Sequence, residues 1–360
     1  MAESQQRAGA TGPSPRFETY ESIYWVFTHR CNDNCAHCYN DSSPWGGTIP
    51  LDDCLAIVEN LPARLGRLIL SGGEPLTEEK KLHAILEAVA AKYRGETQVM
   101  LQTNGDLLTE SRLDALLARG VTRFDVASID GFHKHEGRRK ALLEELFGSR
   151  GMSGDDPDPL IEKETYLKKE VTSYGFWGAT EDMWLGGNWA RGEAMRKGVW
   201  LRDGNHNFCA ILSGARGFLG GTDLPQELSI QLWKISPCCP GTLYPLGDAR
   251  KERVSAVLER IASSPVLQRL NDGDAYGMGA SLGVDEDYGR RRAIALQNVC
   301  LWCDEFMERF LEPETLAPRA APGEEPKGKV RLPVIGAIPG GPRKHPPAPS
   351  GLPAKPLRRE

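Results

Sequence analysis

The chain lacks long apolar runs, an excess of positive charge and an apolar segment near its start. Its apolar runs, such as residues 88–91, fall far short of the ~18 residues of a membrane-spanning helix. Residues 1–16 are polar and lack the apolar centre of a secretory signal peptide. The net charge of −5 is unlike that of a general nucleic-acid-binding protein, which is usually basic. We therefore expect a cytoplasmic protein whose partners include neither a membrane nor a nucleic acid.

Cysteine is the residue type whose distribution is most informative. The chain has nine cysteines, and a cytoplasmic protein keeps its thiols reduced, so disulfide bonds do not account for them. They fall into a first group, a lone Cys54 and a second group: Cys31, Cys35 and Cys38, then Cys209, Cys238, Cys239, Cys300 and Cys303. Two groups predict two metal sites. Cys54 lies on the apolar face of a predicted helix and is expected to be a core residue.

Short apolar runs alternate with helical patterns between residues 22 and 147, which predicts four strand–helix units and a parallel sheet. The first strand is predicted at residues 22–28 and the second at 67–70, with a helix over 51–60 between them. The pattern is weaker from about 150 to 205, and one clear helix follows over 254–261. Residues 313–360 hold 12 of the 25 prolines and predict a disordered, weakly basic tail.

Cys31, Cys35 and Cys38 lie within eight residues, directly after the first predicted strand. Three thiolates on one polar loop can hold three irons of a 4Fe–4S cluster and leave the fourth iron open to a ligand. A zinc site is the alternative, with His37 or His29 as a further ligand.

Gly72, Gly73, Glu74 and Pro75 follow the second predicted strand. The glycines let the backbone approach a ligand closely, and the carbonyls and Glu74 can accept hydrogen bonds from an ammonium group. Ligand sites in parallel α/β sheets lie at such strand ends. Combined with the cysteine triad, this segment resembles the radical S-adenosylmethionine (SAM) superfamily. The resemblance implies that SAM chelates the open iron and that residues 72–75 line its methionine amino group.

The resemblance also implies a fold, an α/β partial (β/α)6 barrel over residues 19–205, and further contacts to SAM. Thr103 and Asn104 end the third predicted strand and Ser128 ends the fourth, where family members contact the ribose and carboxylate of SAM. Helix caps and turns are the alternative roles of such residues. His37 stands where the family usually has an aromatic residue near the adenine; an ordinary loop histidine is the alternative.

The second cysteine group resembles the auxiliary-cluster domains called SPASM and twitch, and the number of cysteines favours twitch. This resemblance implies a second 4Fe–4S cluster in a small α+β domain over residues 206–312, held by Cys209, Cys300, Cys303 and one of Cys238 and Cys239. Only one of the adjacent pair is expected to bind, because neighbouring side chains in extended backbone point to opposite faces. Buried structural cysteines or a zinc site are the alternatives. Residues 1–18 and 313–360 are then the tails on either side.

By this resemblance, the protein cleaves SAM reductively and the resulting 5′-deoxyadenosyl radical abstracts hydrogen from a small-molecule substrate. The first expectation is a net dehydrogenation of a small polar metabolite, with flavodoxin or ferredoxin as electron donor. A maturase of a ribosomally made peptide or protein and a non-catalytic iron–sulfur redox sensor are the alternatives. A sensor has no need of the SAM pocket that residues 72–75 imply.

Overall fold

The computed structural model describes residues 16–127, 133, 138–154, 171–177, 189–211 and 213–319. Within them the chain forms one nine-stranded sheet in the order β5-β6-β4-β3-β2-β1-β7-β8-β9. Its strands are β1 (Thr19–Val26), β2 (Arg64–Ser71), β3 (Gln98–Thr103), β4 (Val121–Ala127), β5 (Ser153–Gly154), β6 (Ser173–Trp177), β7 (Glu227–Gln231), β8 (Lys234–Ser236) and β9 (Gly247–Asp248). Neighbouring strands run parallel from β5 to β7, and β8 and β9 continue antiparallel.

Helices follow most of the parallel strands, as the alternating pattern predicts. Those of the described residues are α1 (Leu51–Asn60), α2 (Glu79–Tyr93), α3 (Glu110–Leu117), α4 (Lys140–Gly148), α5 (Gly192–Lys197), α6 (Val254–Ile261), α7 (Pro265–Asn271), α8 (Glu286–Leu296) and α9 (Val299–Phe310). The bounds of α1 and α6 agree with the apolar spacing of the sequence, and Cys54 of α1 is fully buried in the core as predicted.

The two faces of the sheet differ in chemistry. One face packs with the helices in the main hydrophobic core through Ile23, Trp25, Leu68, Leu70, Val99, Leu101, Phe124, Val126, Leu228 and Ile230. The opposite face, here called the inner face, carries a separate small cluster of Tyr24, Val26, Ile69 and Met100. Buried polar side chains share that face: Ser22, Arg67, Gln98, Arg123 and Asp125.

Strands β1 and β2 are longer than predicted: β1 begins at Thr19 and β2 at Arg64, each three residues before the predicted start. The added residues belong to the sheet because they pair with each other, Thr19 with Arg64 and Tyr20 with Leu65. Further along the same strands, polar side chains of the inner face contact one another: Arg67 donates to the Ser22 hydroxyl at 3.2 Å and lies 3.5 Å from the Glu227 carboxylate. A buried polar group with such partners does not interrupt a strand.

The fold agrees with the prediction: it is a mixed α/β fold, and its mainly parallel sheet does not close into a full barrel. The sheet continues across the predicted boundary between residues 205 and 206, because β7 pairs with β1. The core extends past both predicted tail boundaries, because Phe17 and Leu316 are buried in it. Residues 320–360, most of the predicted C-terminal tail, lie outside the described residues. No helix among the described residues has the length and apolarity needed to cross a bilayer.

Candidate active site

The first cysteine group lies on the loop between β1 and α1, at the carboxyl end of β1. The loop is closed by backbone hydrogen bonds, among them Cys31 N–H to the Ser43 carbonyl at 2.9 Å and Cys38 N–H to the Cys35 carbonyl at 3.2 Å. Cys31 is buried, and Cys35 and Cys38 are half-buried. Burial is the main reason that the pKa of Cys31 is raised to about 12, with smaller upward effects from Glu74 and Cys38. Cys38 and Cys31 also raise the pKa of Cys35, so each thiol of the motif is within electrostatic reach of the other two.

Hydrogen-bond donors point at the sulfurs of this loop. The Asp33 N–H lies 3.4 Å from Cys31 Sγ, and Asn104 Nδ2 lies 4.0 Å from it. Burial raises the pKa of Cys38, while hydrogen bonds from the backbone of Asn40 and from Ser42 lower it. Such donors stabilise thiolate sulfur and tune iron–sulfur clusters. These residues fit a cluster with three thiolate ligands.

Gly72 and Gly73 are packed against the cysteine loop. A Cβ at Gly73 would lie 2.5 Å from the Arg30 carbonyl oxygen and 2.8 Å from Cys31 Cβ. A Cβ at Gly72 would lie 2.8 Å from the Thr28 carbonyl oxygen. Only glycine allows these approaches. In the described structure these glycines make room for the loop that carries the cysteines, and their approach to a ligand remains a prediction.

Glu74 is fully buried, and its carboxylate is bound by the protein itself. It accepts hydrogen bonds from Leu76 N–H at 3.0 Å, from Asn104 N–H at 2.8 Å and from the Thr103 hydroxyl at 2.9 Å. Burial raises the pKa of Glu74 to about 7, against the effect of these donors, which lower it. Glu74 thus joins the ends of β2 and β3.

The structure places three of the other residues predicted to contact SAM, and the fourth lies outside the described residues. The Asn104 side chain donates to Asn32 Oδ1 at 2.9 Å, which ties the end of β3 to the cysteine loop. Buried Pro75 begins a short 3-10 helix over 75–78. His37 is buried, and its ring meets that of His133 edge-on with centroids 4.9 Å apart. Ser128 lies outside the described residues. The roles of these residues toward SAM remain predictions.

Four cysteines of the second group converge although they are far apart in sequence. Cys209 lies in a 3-10 helix over 208–210, Cys238 follows β8, and Cys300 and Cys303 lie one turn apart at the start of α9. All four are buried. Burial raises the pKa of Cys209 well above its usual value, and the other three thiols raise it further. Four buried thiols that act electrostatically on one another, on segments that pack together, fit the ligand set of a second cluster.

The fifth cysteine of this group points elsewhere. Cys239 Sγ lies 3.2 Å from the Tyr39 hydroxyl and packs against the inner-face cluster. The Tyr39 hydroxyl is 2.9 Å from that of Tyr24, which in turn donates to Ser71 and Gln102 at 2.8 and 2.9 Å. Of the adjacent pair, Cys238 therefore lies with the other three thiols, and Cys239 faces the inner side of the sheet.

No three His, Cys, Asp or Glu side chains among the described residues are placed to hold a single metal ion. A cubane cluster has a different requirement, because each thiolate binds a separate iron at its own corner. All nine cysteines are free thiols.

The sequence model of the Radical SAM superfamily matches residues 25–147, from β1 to α4. The chain contains a radical SAM domain. This domain includes the first cysteine group, Glu74 with its two glycines, and the end of β3. The predicted resemblance is thus confirmed, whereas the SPASM or twitch character of residues 206–312 remains a prediction.

Known proteins are similar to this chain over about a third of its length. An AdoMet-dependent heme synthase of Methanosarcina barkeri (strain Fusaro / DSM 804) is 40% identical over 113 residues, 30% of this chain and 31% of that protein. A GTP 3′,8-cyclase of Synechococcus sp. (strain WH7803) is 38% identical over 120 residues, 31% of this chain and 34% of the cyclase. The chain therefore spans about a third of the length of these relatives.

Among solved structures, BtrN in complex with AdoMet and 2-DOIA is similar with a TM-score of 0.45 and 16% identity, covering 71% of this chain and 89% of BtrN.

Sequence reasoning missed two features of the site. Ser71 and Gln102 are the last inner-face residues of β2 and β3, so the two-residue period of a strand could have indicated them. Arg191 lies beside the second cysteine group, and nothing in the sequence around it indicates that position. Its partner Asp304 is 113 residues away in the chain.

Proposed function

We propose that this protein is a radical SAM oxidoreductase with two 4Fe–4S clusters that dehydrogenates a small polar metabolite. Cys31, Cys35 and Cys38 would hold the first cluster, and residues 72–75 would line the SAM site beside it. When bound, the cluster would supply the electron for reductive cleavage of SAM, the chemistry that leads to hydrogen abstraction from the substrate. A flavodoxin or ferredoxin reduces the protein.

The observation that carries this proposal is the convergence of Cys209, Cys238, Cys300 and Cys303. Four protein ligands complete a cluster, so the second one has no site for SAM and can accept an electron instead. Loss of a hydrogen atom and then of an electron and a proton is a net two-electron oxidation of the substrate. The convergence supports dehydrogenation over reactions that return the hydrogen atom.

The position of the second group supports the same conclusion. Tyr39 directly follows Cys38, Cys239 directly follows Cys238, and the two side chains are in contact at 3.2 Å. The loop that carries the first set of thiols and the segment that follows β8 are therefore in contact beside the inner face. A substrate bound against that face would contact both segments.

The inner face at this end offers uncharged hydrogen-bonding groups. The hydroxyls of Tyr24 and Ser71 and the amide of Gln102 form one network there, and the Gln231 amide lies beside it, donating to the Cys239 carbonyl at 2.6 Å. Hydroxyl and amide groups suit a polar metabolite with several hydroxyl or amino groups.

The test is anaerobic turnover of the reconstituted full chain with SAM, dithionite and a panel of polyhydroxylated metabolites, followed by mass spectrometry. We expect 5′-deoxyadenosine and a product two mass units below one substrate. The triple variant C31A/C35A/C38A should form no 5′-deoxyadenosine. The double variant C300A/C303A should retain SAM cleavage, lose about four of about eight irons per chain and make no oxidised product.

Cleavage of SAM by the triple variant would contradict the assignment of the first cluster. Full turnover by the double variant, or only four irons in the wild-type chain, would contradict the role of the second. A modified ribosomal peptide as the only product would favour a maturase.

A further inference from the structure

The Arg191 side chain lies between the second cysteine group and an acidic partner. Its guanidinium forms a two-pronged ion pair with Asp304, at 2.7 and 2.8 Å, and its side chain is only 15% exposed. It also donates to the Cys300 carbonyl at 3.3 Å and to the Gly241 carbonyl at 3.5 Å. Asp304 directly follows Cys303, so the ion pair is fixed to the helix turn that carries two of the four thiols.

The guanidinium is electrostatically close to the thiols themselves. A guanidinium stays protonated in proteins, so Arg191 is a permanent cation. Its hydrogen bonds to the Cys300 carbonyl and to the carboxylate that directly follows Cys303 hold this charge against the turn that carries two of the four thiols. The thiols of Cys209 and Cys238 are within its electrostatic reach as well.

The backbone next to Arg191 is held by the first cysteine loop. Ala194 N–H donates to the Cys38 carbonyl at 2.8 Å, and Glu193 N–H to the Asn40 carbonyl at 3.4 Å. Gly192 has φ +51°, and a Cβ there would lie 2.4 Å from the Asn40 carbonyl oxygen. These contacts leave Arg191 little freedom to withdraw from the second group.

We propose that Arg191 is a positioning residue that sets the reduction potential of the second cluster by holding one fixed cation beside its four thiolates. This inference rests on the proposed second cluster. Asp304 has the opposite effect, because it orients the guanidinium and offsets part of its charge. Residues 192–194 directly follow Arg191 and contact the loop that carries the first cysteine group. This short segment therefore connects the surroundings of the two clusters.

The physical argument is one of charge. Reduction adds an electron to a cluster that is already anionic, and a nearby cation stabilises the reduced form more than the oxidised form. Shielding from water strengthens the effect. Removal of the Arg191 charge should therefore lower the midpoint potential, and removal of the Asp304 charge should raise it. If the ion pair is purely structural, both changes should cause the same loss of stability, and they should not shift the midpoint potential in opposite directions.

The experiment is a redox titration of the full chain in a C31A/C35A/C38A background, so that the second cluster is the only one present. The electron paramagnetic resonance signal of the reduced cluster is followed against the applied potential. We expect a lower midpoint for Arg191→Gln, a higher one for Asp304→Asn and a value near that of the background for Arg191→Lys. Arg196→Gln is the matched control, because Arg196 lies on α5, the helix that directly follows Arg191, and its side chain is 53% exposed; the midpoint of this variant should not move.

Midpoints that do not move, or that move in the same direction in Arg191→Gln and Asp304→Asn, would overturn the inference while leaving the second cluster in place. If Arg191→Gln fails to hold the cluster, the sign of the shift in Asp304→Asn decides alone. Absence of iron from the C31A/C35A/C38A background itself would overturn the proposed function, and this inference with it.

Discussion

Replacement of Glu74 by alanine should lower the free energy of unfolding as well as weaken SAM binding. Glu74 is fully buried, and its carboxylate accepts from the N–H groups of Leu76 and Asn104 and from the Thr103 hydroxyl. Alanine removes all of these acceptors at once. The two backbone N–H groups have no freedom to turn toward another partner, whereas the Thr103 hydroxyl can rotate.

An unsatisfied buried donor costs roughly 1–3 kcal/mol. Two such donors give an expected loss of about 3 kcal/mol, since entry of water into the space left by the carboxylate offsets part of the maximum. Thr103→Val removes a hydroxyl that donates to Glu74 and accepts from Gly105 N–H at 3.0 Å, and it should cost about 2 kcal/mol. Glu87→Ala is the control, because Glu87 lies on α2 with a side chain that is 65% exposed; we expect a change within about 0.5 kcal/mol.

The assay is urea-induced unfolding of the anaerobically prepared chain, followed by circular dichroism, with SAM affinity measured separately. A loss below about 1 kcal/mol for Glu74→Ala would refute the argument that this carboxylate holds the ends of β2 and β3 together. Weakened SAM binding at unchanged stability would instead restore the simpler view taken from the sequence, in which Glu74 contacts the ligand directly.

Three further outcomes are expected. Gly73→Val should displace the cysteine loop and remove about four irons per chain, as measured by iron analysis, whereas Gly47→Val should not, because nothing lies within 4 Å of a Cβ there. Iron loss in both variants would show that the loop is merely sensitive to any change. Cys54→Ala should keep all iron and cost about 1 kcal/mol of stability, since Cys54 is a core residue; loss of iron would make it a ligand. Deletion of residues 320–360 should leave SAM cleavage unchanged, and a marked fall in activity would refute the prediction of a disordered tail.

The spacing of apolar residues was sufficient to predict the helices that bury one apolar face. Helix α1 has its apolar residues at helical spacing and is found where that spacing predicts. The starts of β1 and β2 were not readable in the same way, because Thr19 and Arg64 belong to the sheet through pairing with each other and not through an apolar run. The polar inner face was not readable either. Side chains such as Arg67 are acceptable there only because partners on neighbouring strands satisfy them, and the pairing of strands is not encoded in any short segment.

The sequence by itself determined the chemistry that is local. The spacing of Cys31, Cys35 and Cys38 after a strand, and the glycines before Glu74, are enough to predict a radical SAM domain, because neighbours in sequence stay neighbours in space. Only the tertiary structure decided what depends on distant segments. It separated Cys238 from Cys239, since the two face different surroundings, and it brought Arg191 to Asp304 across 113 residues. Such contacts arise from the packing of whole elements, so no motif within either segment predicts them.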